Sequence, residues 1–291
     1  MNEAGIISNF YAFSPFEASE LSQIRIQLKE FAIKEDLRGL IILAPEGCNG
    51  SIWGSNEGVL AFEKYLLTLL SPSHCNDIFK RAYAPKAPFR KFVVKLKKEI
   101  ITSGAPELTV KEGLNALPAE EWEGILNSEE PFLLVDTRNS AETGIGMFKG
   151  ATTLDINHFS QFKEAFLEKN VPHQTKVLLY CTGGIRCEKA LPLLEQEGYK
   201  NIFQLQGGIL KYLETFPNRN FSGECFVFDY RVAVDQNLNP SQKYNGWCDY
   251  CSNPLPKDRE HSTSRYCAGD VCSNRSFHQP HPRQRTASQK T

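Results

Sequence analysis

Val177-Leu178-Leu179-Tyr180 runs directly into Cys181-Thr182-Gly183-Gly184-Ile185-Arg186-Cys187, and Leu191, Leu193, Leu194 and a closing Gly198 follow. The short apolar run before a Gly pair predicts a buried strand, and the helical spacing of the leucines predicts a helix over residues 188–198. A chain that turns this sharply from strand to helix builds a parallel α/β layer, whose ligands lie beyond the carboxyl ends of its strands. The turn also has chemistry of its own. Gly183 and Gly184 let successive N–H groups converge on one point, the positive end of the next helix adds to their field, and Arg186 supplies a fixed cation. These conditions lower a cysteine pKa, so Cys181 is expected to be a reactive thiolate rather than a buried structural thiol. Cys187 falls in the first helical turn, either facing the core or serving as a resolving thiol for Cys181.

At 291 residues the chain is long enough for two domains and a tail, and 41% hydrophobic content is that of a soluble globular protein. No stretch reaches the roughly 18 apolar residues of a membrane span, and Met1-Asn2-Glu3-Ala4-Gly5 lacks the start of a signal peptide, so a cytoplasmic protein with no membrane partner is expected. Nine cysteines in a reducing compartment favour reactive thiols or metal ligands over disulfides. A net charge of −1 argues against a uniformly basic nucleic-acid binder, yet residues 79–98 hold eight Lys/Arg and no acid. Lys80, Arg81, Arg90, Lys91, Lys95 and Lys97 belong to this run, with Phe79, Tyr83, Phe89 and Phe92 interleaved. Such a patch suits a phosphate backbone with unpaired bases, or is a solvated strand face.

Residues 1–103 read as strand 7–13, helix 17–34, strand 39–44, strand 50–53, helix 56–70 and strand 89–97. This β-α-β-β-α-β order predicts a ferredoxin-like α+β domain with an antiparallel sheet. In its last strand Lys91, Val93, Lys95 and Lys97 share one face. Asn49-Gly50 reads as the hairpin signal between the middle strands. Residues 117–217 alternate strands and helices, with strand Phe132-Leu133-Leu134-Val135 ending at Asp136, which places Asp136 beside Cys181 at the strand ends. Residues 218–291 form a polar, Cys-rich and partly flexible C-terminal region. Within it Cys248-x2-Cys251 and, fifteen residues on, Cys267-x4-Cys272 can close a structural zinc site, with His278 or His281 as substitutes. Cys75 and Cys225 read as structural, and no flavin or nicotinamide motif is present.

Cys181 and Arg186 are spaced Cys-x4-Arg, one residue shorter than the phosphate loop of tyrosine-type phosphatases. The smaller ring of amides suits a persulfide or an oxidised cysteine rather than a phosphate dianion. Asp136-x-Arg138 with Glu142 and Gly150-Ala151, the Cys181 loop, and Gly207-Gly208-Ile209 before Tyr212 together resemble the rhodanese domain. The run from Cys181 to Ala190, behind a ferredoxin- or acylphosphatase-like domain and ahead of Gly223-Glu224-Cys225-Phe226-Val227-Phe228-Asp229-x-Arg231, resembles the bacterial rhodanese-like tRNA uridine hydroxylases.

That resemblance implies oxygen-dependent 5-hydroxylation of the wobble uridine of tRNA, with molecular oxygen as co-substrate. Cys181 would be the essential cysteine, acting through a persulfide or oxidised sulfur. Thr182, Gly183, Gly184, Ile185 and Arg186 would form its cradle, and Asp136 would support the loop as part of the catalytic set. The basic run then gains a purpose, because tRNA needs a phosphate-binding surface. Two alternatives stand beside this reading: a sulfurtransferase that takes sulfur from a donor protein, and a non-catalytic RNA-binding protein, which the intact Cys and Arg disfavour.

Overall fold

The computed structural model describes residues 4–71, 78–248 and 253–257. Cys75, Cys251, Cys267, Cys272, His278 and His281 lie outside the described residues, so among the proposed zinc ligands only Cys248 has a described position. No helix among the described residues is long and apolar enough to cross a membrane.

The first unit contains β1 (Gly5–Ala12), α1 (Leu21–Lys34), β2 (Arg38–Ala44), β3 (Gly47–Gly54), α2 (Asn56–Leu69), β4 (Phe79–Ala84) and β5 (Phe92–Leu96). Its sheet has the order β4-β1-β3-β2-β5, antiparallel throughout except that β5 runs parallel to β2. Leu28, Ile41, Ile52, Phe62 and Leu66 fill the layer between helices and sheet, each contributing about 1.5–3 kcal/mol by burial.

This corrects two expectations. The strand that closes the ferredoxin-like sheet beside β1 is β4, which the sequence reading did not contain, and the strand expected over residues 89–97 is a fifth one on the opposite edge. Asn49-Gly50 lies inside β3, because Asn49 Nδ2 donates to Ile100 O and Gly50 sits against Phe10, leaving no room for a Cβ. The turn is instead Pro45-Glu46, closed by the Ala44–Gly47 pair.

The second unit holds β6 (Ala116–Leu117), α3 (Ala119–Leu126), β7 (Leu133–Asp136), α4 (Ser140–Thr143), β8 (Gly146–Phe148), α5 (Phe162–Leu167), β9 (Val177–Tyr180), α6 (Ile185–Gln196), β10 (Ile202–Leu205) and α7 (Gly208–Thr215). Its four-stranded sheet, β6-β10-β9-β7, is parallel, with core clusters on both faces. Since Asp136 pairs with Tyr180 in register, Asp136 and Cys181 emerge at adjacent strand ends.

After residue 217 the chain does not leave this unit. β11 (Phe221–Gly223) pairs with β8, and β12 (Cys225–Phe226) with β13 (Ala233–Val234). Phe221, Cys225, Val227 and Val234 are buried in the same cluster as Tyr180 and Ile209. The segment read as a polar extension therefore starts with residues that complete the α/β core. A last hairpin follows, β14 (Tyr244–Trp247) with β15 (Pro254–Pro256).

Buried charge joins the two units. Lys189, fully buried on α6, reaches Glu99 at 2.6 Å and Glu46 at 2.8 Å. Removing either kind of partner would strand a charge away from water.

Candidate active site

α6 begins at Ile185, three residues earlier than its apolar spacing suggests, with Gly184 as its N-cap at φ +106°. Glycine is needed there, since a Cβ on Gly184 would stand 2.8 Å from the Tyr11 hydroxyl. The helix N-terminus is thereby brought against the sulfur of Cys181, and Gly184 N–H donates to Cys181 Sγ at 3.1 Å.

The carbonyls of the loop all point elsewhere. Ile209 N–H donates to Cys181 O at 2.9 Å and Leu210 N–H to Thr182 O at 3.1 Å, so the start of α7 takes the first two. A Cβ on Gly208 would fall 2.5 Å from Cys181 O, and only glycine lets α7 approach so closely. The third carbonyl, Gly183 O, receives Lys80 Nζ, which also donates to Gly207 O at 3.0 Å. With three successive carbonyls held outward, the Gly184 and Arg186 N–H groups face the sulfur.

Burial opposes charge on Cys181, which is 1% exposed, but it loses to the groups around the sulfur. A hydrogen bond from the Cys187 thiol, the Arg186 guanidinium, and the Arg186 and Gly184 N–H groups bring the Cys181 pKa down to about 5. For buried Cys48, with one backbone hydrogen bond at Ala12, and buried Cys225, with only the charge of Arg138 nearby in its favour, burial wins and pushes each up to about 12. Cys187 is buried and its thiol is pushed upward, first by burial and then by the hydrogen bond to Cys181. It stays protonated as a donor to the thiolate, buried in the core and in contact with Cys181. Thr137 extends the chain of contacts, with its hydroxyl 3.8 Å from Cys187 Sγ and donating to Tyr180 O at 2.9 Å.

Arg186 is fixed by Glu142, which accepts from Nη1 at 2.6 Å and Nη2 at 2.7 Å. The same carboxylate accepts from Thr182 Oγ1 at 3.3 Å, so one glutamate holds both ends of the loop. Buried Arg186 Nε has no hydrogen-bond partner among the described residues and remains a donor for an anion in the cradle. Asp136 lies at the strand end next to Cys181, where the resemblance places it as a support for the loop. Both its oxygens are taken by Arg138, through the backbone N–H, Nε and Nη2. Arg138 also donates to Gly146 O, so this pair braces β8 and the strand end beneath the loop.

The first unit supplies Tyr11 as well as Lys80. The Tyr11 hydroxyl donates to Glu188 Oε1 at 3.3 Å, and the Glu188 carboxyl, desolvated behind the loop, has its pKa raised to about 7. Burial lowers the Lys80 pKa to about 8, against the opposing pull of Cys181. Of the six basic residues expected at an RNA surface, Lys80 is thus committed to the loop and Arg81 to Glu63. Arg90, Lys91, Lys95 and Lys97 are exposed.

Sequence reasoning missed the roles of Glu142, Thr137, Tyr11 and Lys80. Glu142 carried a readable signal, Asn139 three residues before it, and half of a capping box forms: Asn139 N–H donates to Glu142 Oε2 at 3.4 Å. Its partner, Arg186, is 44 residues away. Chemically, the site can hold a nucleophilic thiolate for addition to an electron-poor carbon, or an anionic persulfide or oxidised sulfur.

Residues 5–100 match the family described as UPF0176 acylphosphatase like domain, and residues 118–215 match the Rhodanese-like domain. The chain is similar to the tRNA uridine(34) hydroxylase of Bdellovibrio bacteriovorus, with 40% identity over 250 residues covering 85% of this chain and 70% of that protein. Its similarity to the Gluconobacter oxydans protein of the same name is 37% identity, covering 90% of this chain and 84% of the relative. A Prochlorococcus marinus protein so named is 35% identical, with 89% and 85% covered.

Proposed function

This chain belongs to the tRNA uridine(34) hydroxylase family, and from that premise we propose that it is an oxidoreductase that hydroxylates the wobble uridine of tRNA at C5, with molecular oxygen as co-substrate and Cys181 as its essential residue. The observation that carries this is the commitment of the Cys181, Thr182 and Gly183 carbonyls to outside donors while amides, Arg186 and Cys187 stabilise the sulfur as a thiolate. At neutral pH most Cys181 is then ionised and ready to react. Glu142 positions Arg186, Asp136 and Arg138 position the strand end, and Lys80 positions the loop from the neighbouring unit. Exposed Arg90, Lys91, Lys95 and Lys97 supply a surface for phosphates. The protein works in the cytoplasm, where its tRNA substrate is found.

A second reading is favoured by the cradle itself, which also fits a persulfide: a sulfurtransferase fed by a donor protein. Purified protein incubated with uridine-34 tRNA under isotopically heavy dioxygen separates the two. Hydroxylation places the heavy oxygen in the released nucleoside, whereas sulfur transfer without label in the nucleoside contradicts it. Zinc on Cys248, Cys251, Cys267 and Cys272 is proposed from their spacing, and of the four only Cys248, which is buried, lies among the described residues. Metal analysis before and after chelation tests it, and absence of stoichiometric zinc counts against it.

A further inference from the structure

The hairpin of β12 and β13 carries two aromatic rings outside the core and beside the active loop. Phe228 is 63% exposed and Tyr230 is 50% exposed, although the turn that bears them is tightly held. Val227 N–H donates to Val232 O, Val232 N–H to Asp229 O, and the buried Asp229 carboxylate takes the backbone N–H, Nε and Nη2 of Arg231. A turn fixed this firmly presents its rings at little further cost in ordering, the condition that favours binding.

The surroundings say what the rings fit. Phe228 lies 5.8 Å from the guanidinium of Arg186 and 5.0 Å, edge to face, from Phe226, whose carbonyl accepts from Thr182 Oγ1. It therefore stands at the edge of the Cys181 cradle. On the other side Arg90 lies 5.3 Å from the Tyr230 ring, and Tyr230 N–H donates to Pro88 O. The hairpin is thus tied to the basic run, with exposed Arg90 beside the Tyr230 ring and buried Arg186 beside the Phe228 ring. Flat rings next to cations suit unpaired nucleobases on a phosphate chain.

We propose that Phe228 and Tyr230 are a base-stacking site for unpaired anticodon-loop nucleotides flanking the uridine presented to Cys181, with Arg90 receiving the phosphate beside Tyr230. The proposal rests on the functional reading above and adds which residues hold the single strand. A duplex, whose bases are already stacked, gains nothing from the rings.

Fluorescence anisotropy of the full chain with an anticodon stem-loop RNA, and with the same stem as a blunt duplex, tests this. Phe228→Ala and Tyr230→Ala each weaken stem-loop binding by about 5-fold or more and leave duplex binding unchanged. Phe228→Leu, which keeps apolar bulk but has no ring, loses as much as Phe228→Ala, while Phe228→Tyr retains binding. Rescue by leucine, unchanged stem-loop affinity, or equal loss on the duplex overturns the stacking site. Unchanged RNA binding with loss of sulfur uptake from a donor protein also overturns it, in favour of a protein contact. Wild-type protein that binds no RNA overturns the functional reading itself, which is a different failure. Thermal melts and the thiolate absorbance of Cys181 verify that each variant is folded.

Discussion

Two Asp-x-Arg clamps with nearly the same geometry do different work in this molecule. In Asp136-Thr137-Arg138 the arginine N–H and Nε reach Oδ1 at 3.0 and 2.9 Å and Nη2 reaches Oδ2 at 2.7 Å. In Asp229-Tyr230-Arg231 the corresponding distances are 2.9, 2.9 and 2.6 Å. The middle residue separates them. Thr137 is fully buried and turned toward Tyr180 O and Cys187, whereas Tyr230 is half exposed beside Arg90. One piece of local chemistry therefore fixes both the floor beneath the thiolate and the rim beside it. The clamp sets a backbone turn, and the direction of the middle side chain sets its use.

The sharpest way to break the comparison is to remove each aspartate. Asp136→Ala leaves a fully buried guanidinium without its partner and is expected to cost about 3–5 kcal/mol in denaturant unfolding. Asp229→Ala, with Arg231 able to reach water, should cost less than half as much. Equal costs would show that burial is not what distinguishes the two sites. The loop above the inner clamp has a pH window of its own. Cys181 must lose its proton and Lys80 keep its own, so activity rises as pH passes about 5 and falls as it passes about 8. Lys80→Met is expected to lower activity about tenfold, in line with two lost charge-assisted bonds, and to remove the alkaline limb. An alkaline limb that persists in Lys80→Met sinks this role.

A smaller effect probes Cys187. Replacing it by alanine removes one hydrogen bond to the thiolate, so the Cys181 pKa should rise by about one pH unit in a titration followed by thiolate absorbance. At the rim, Lys95→Glu with Lys97→Glu should weaken tRNA binding and flatten its dependence on salt by a slope of about 2. Binding that is unchanged across a salt titration would move the phosphate track elsewhere.

The floor was more legible in sequence than the rim, for physical reasons. The Cys181 loop is local: a strand end, two glycines and an arginine within eight positions carry its chemistry, and alternating strands and helices located it at the sheet's edge. Resemblance added the hydroxylation, which spacing alone does not contain. β4 was hidden because its two cations point at partners far along the chain, Lys80 at Gly183 and Gly207 and Arg81 at Glu63, so no apolar alternation marks it. Glu142 was hidden for the same reason, since an exposed-looking glutamate becomes a clamp only when β7 and β9 pair. The repeat of Asp-x-Arg at 229–231 could be read, but not that its turn packs against the loop.

Everything above assigns Cys181 to the hydroxylation of uridine 34. Nucleoside analysis of tRNA from cells lacking this protein, supplied with either the wild-type chain or Cys181→Ser, tests it most directly. The account predicts 5-hydroxyuridine at position 34 with the wild type and none with the variant. Undiminished 5-hydroxyuridine in Cys181→Ser cells, with thiosulfate sulfur transfer lost, would contradict it.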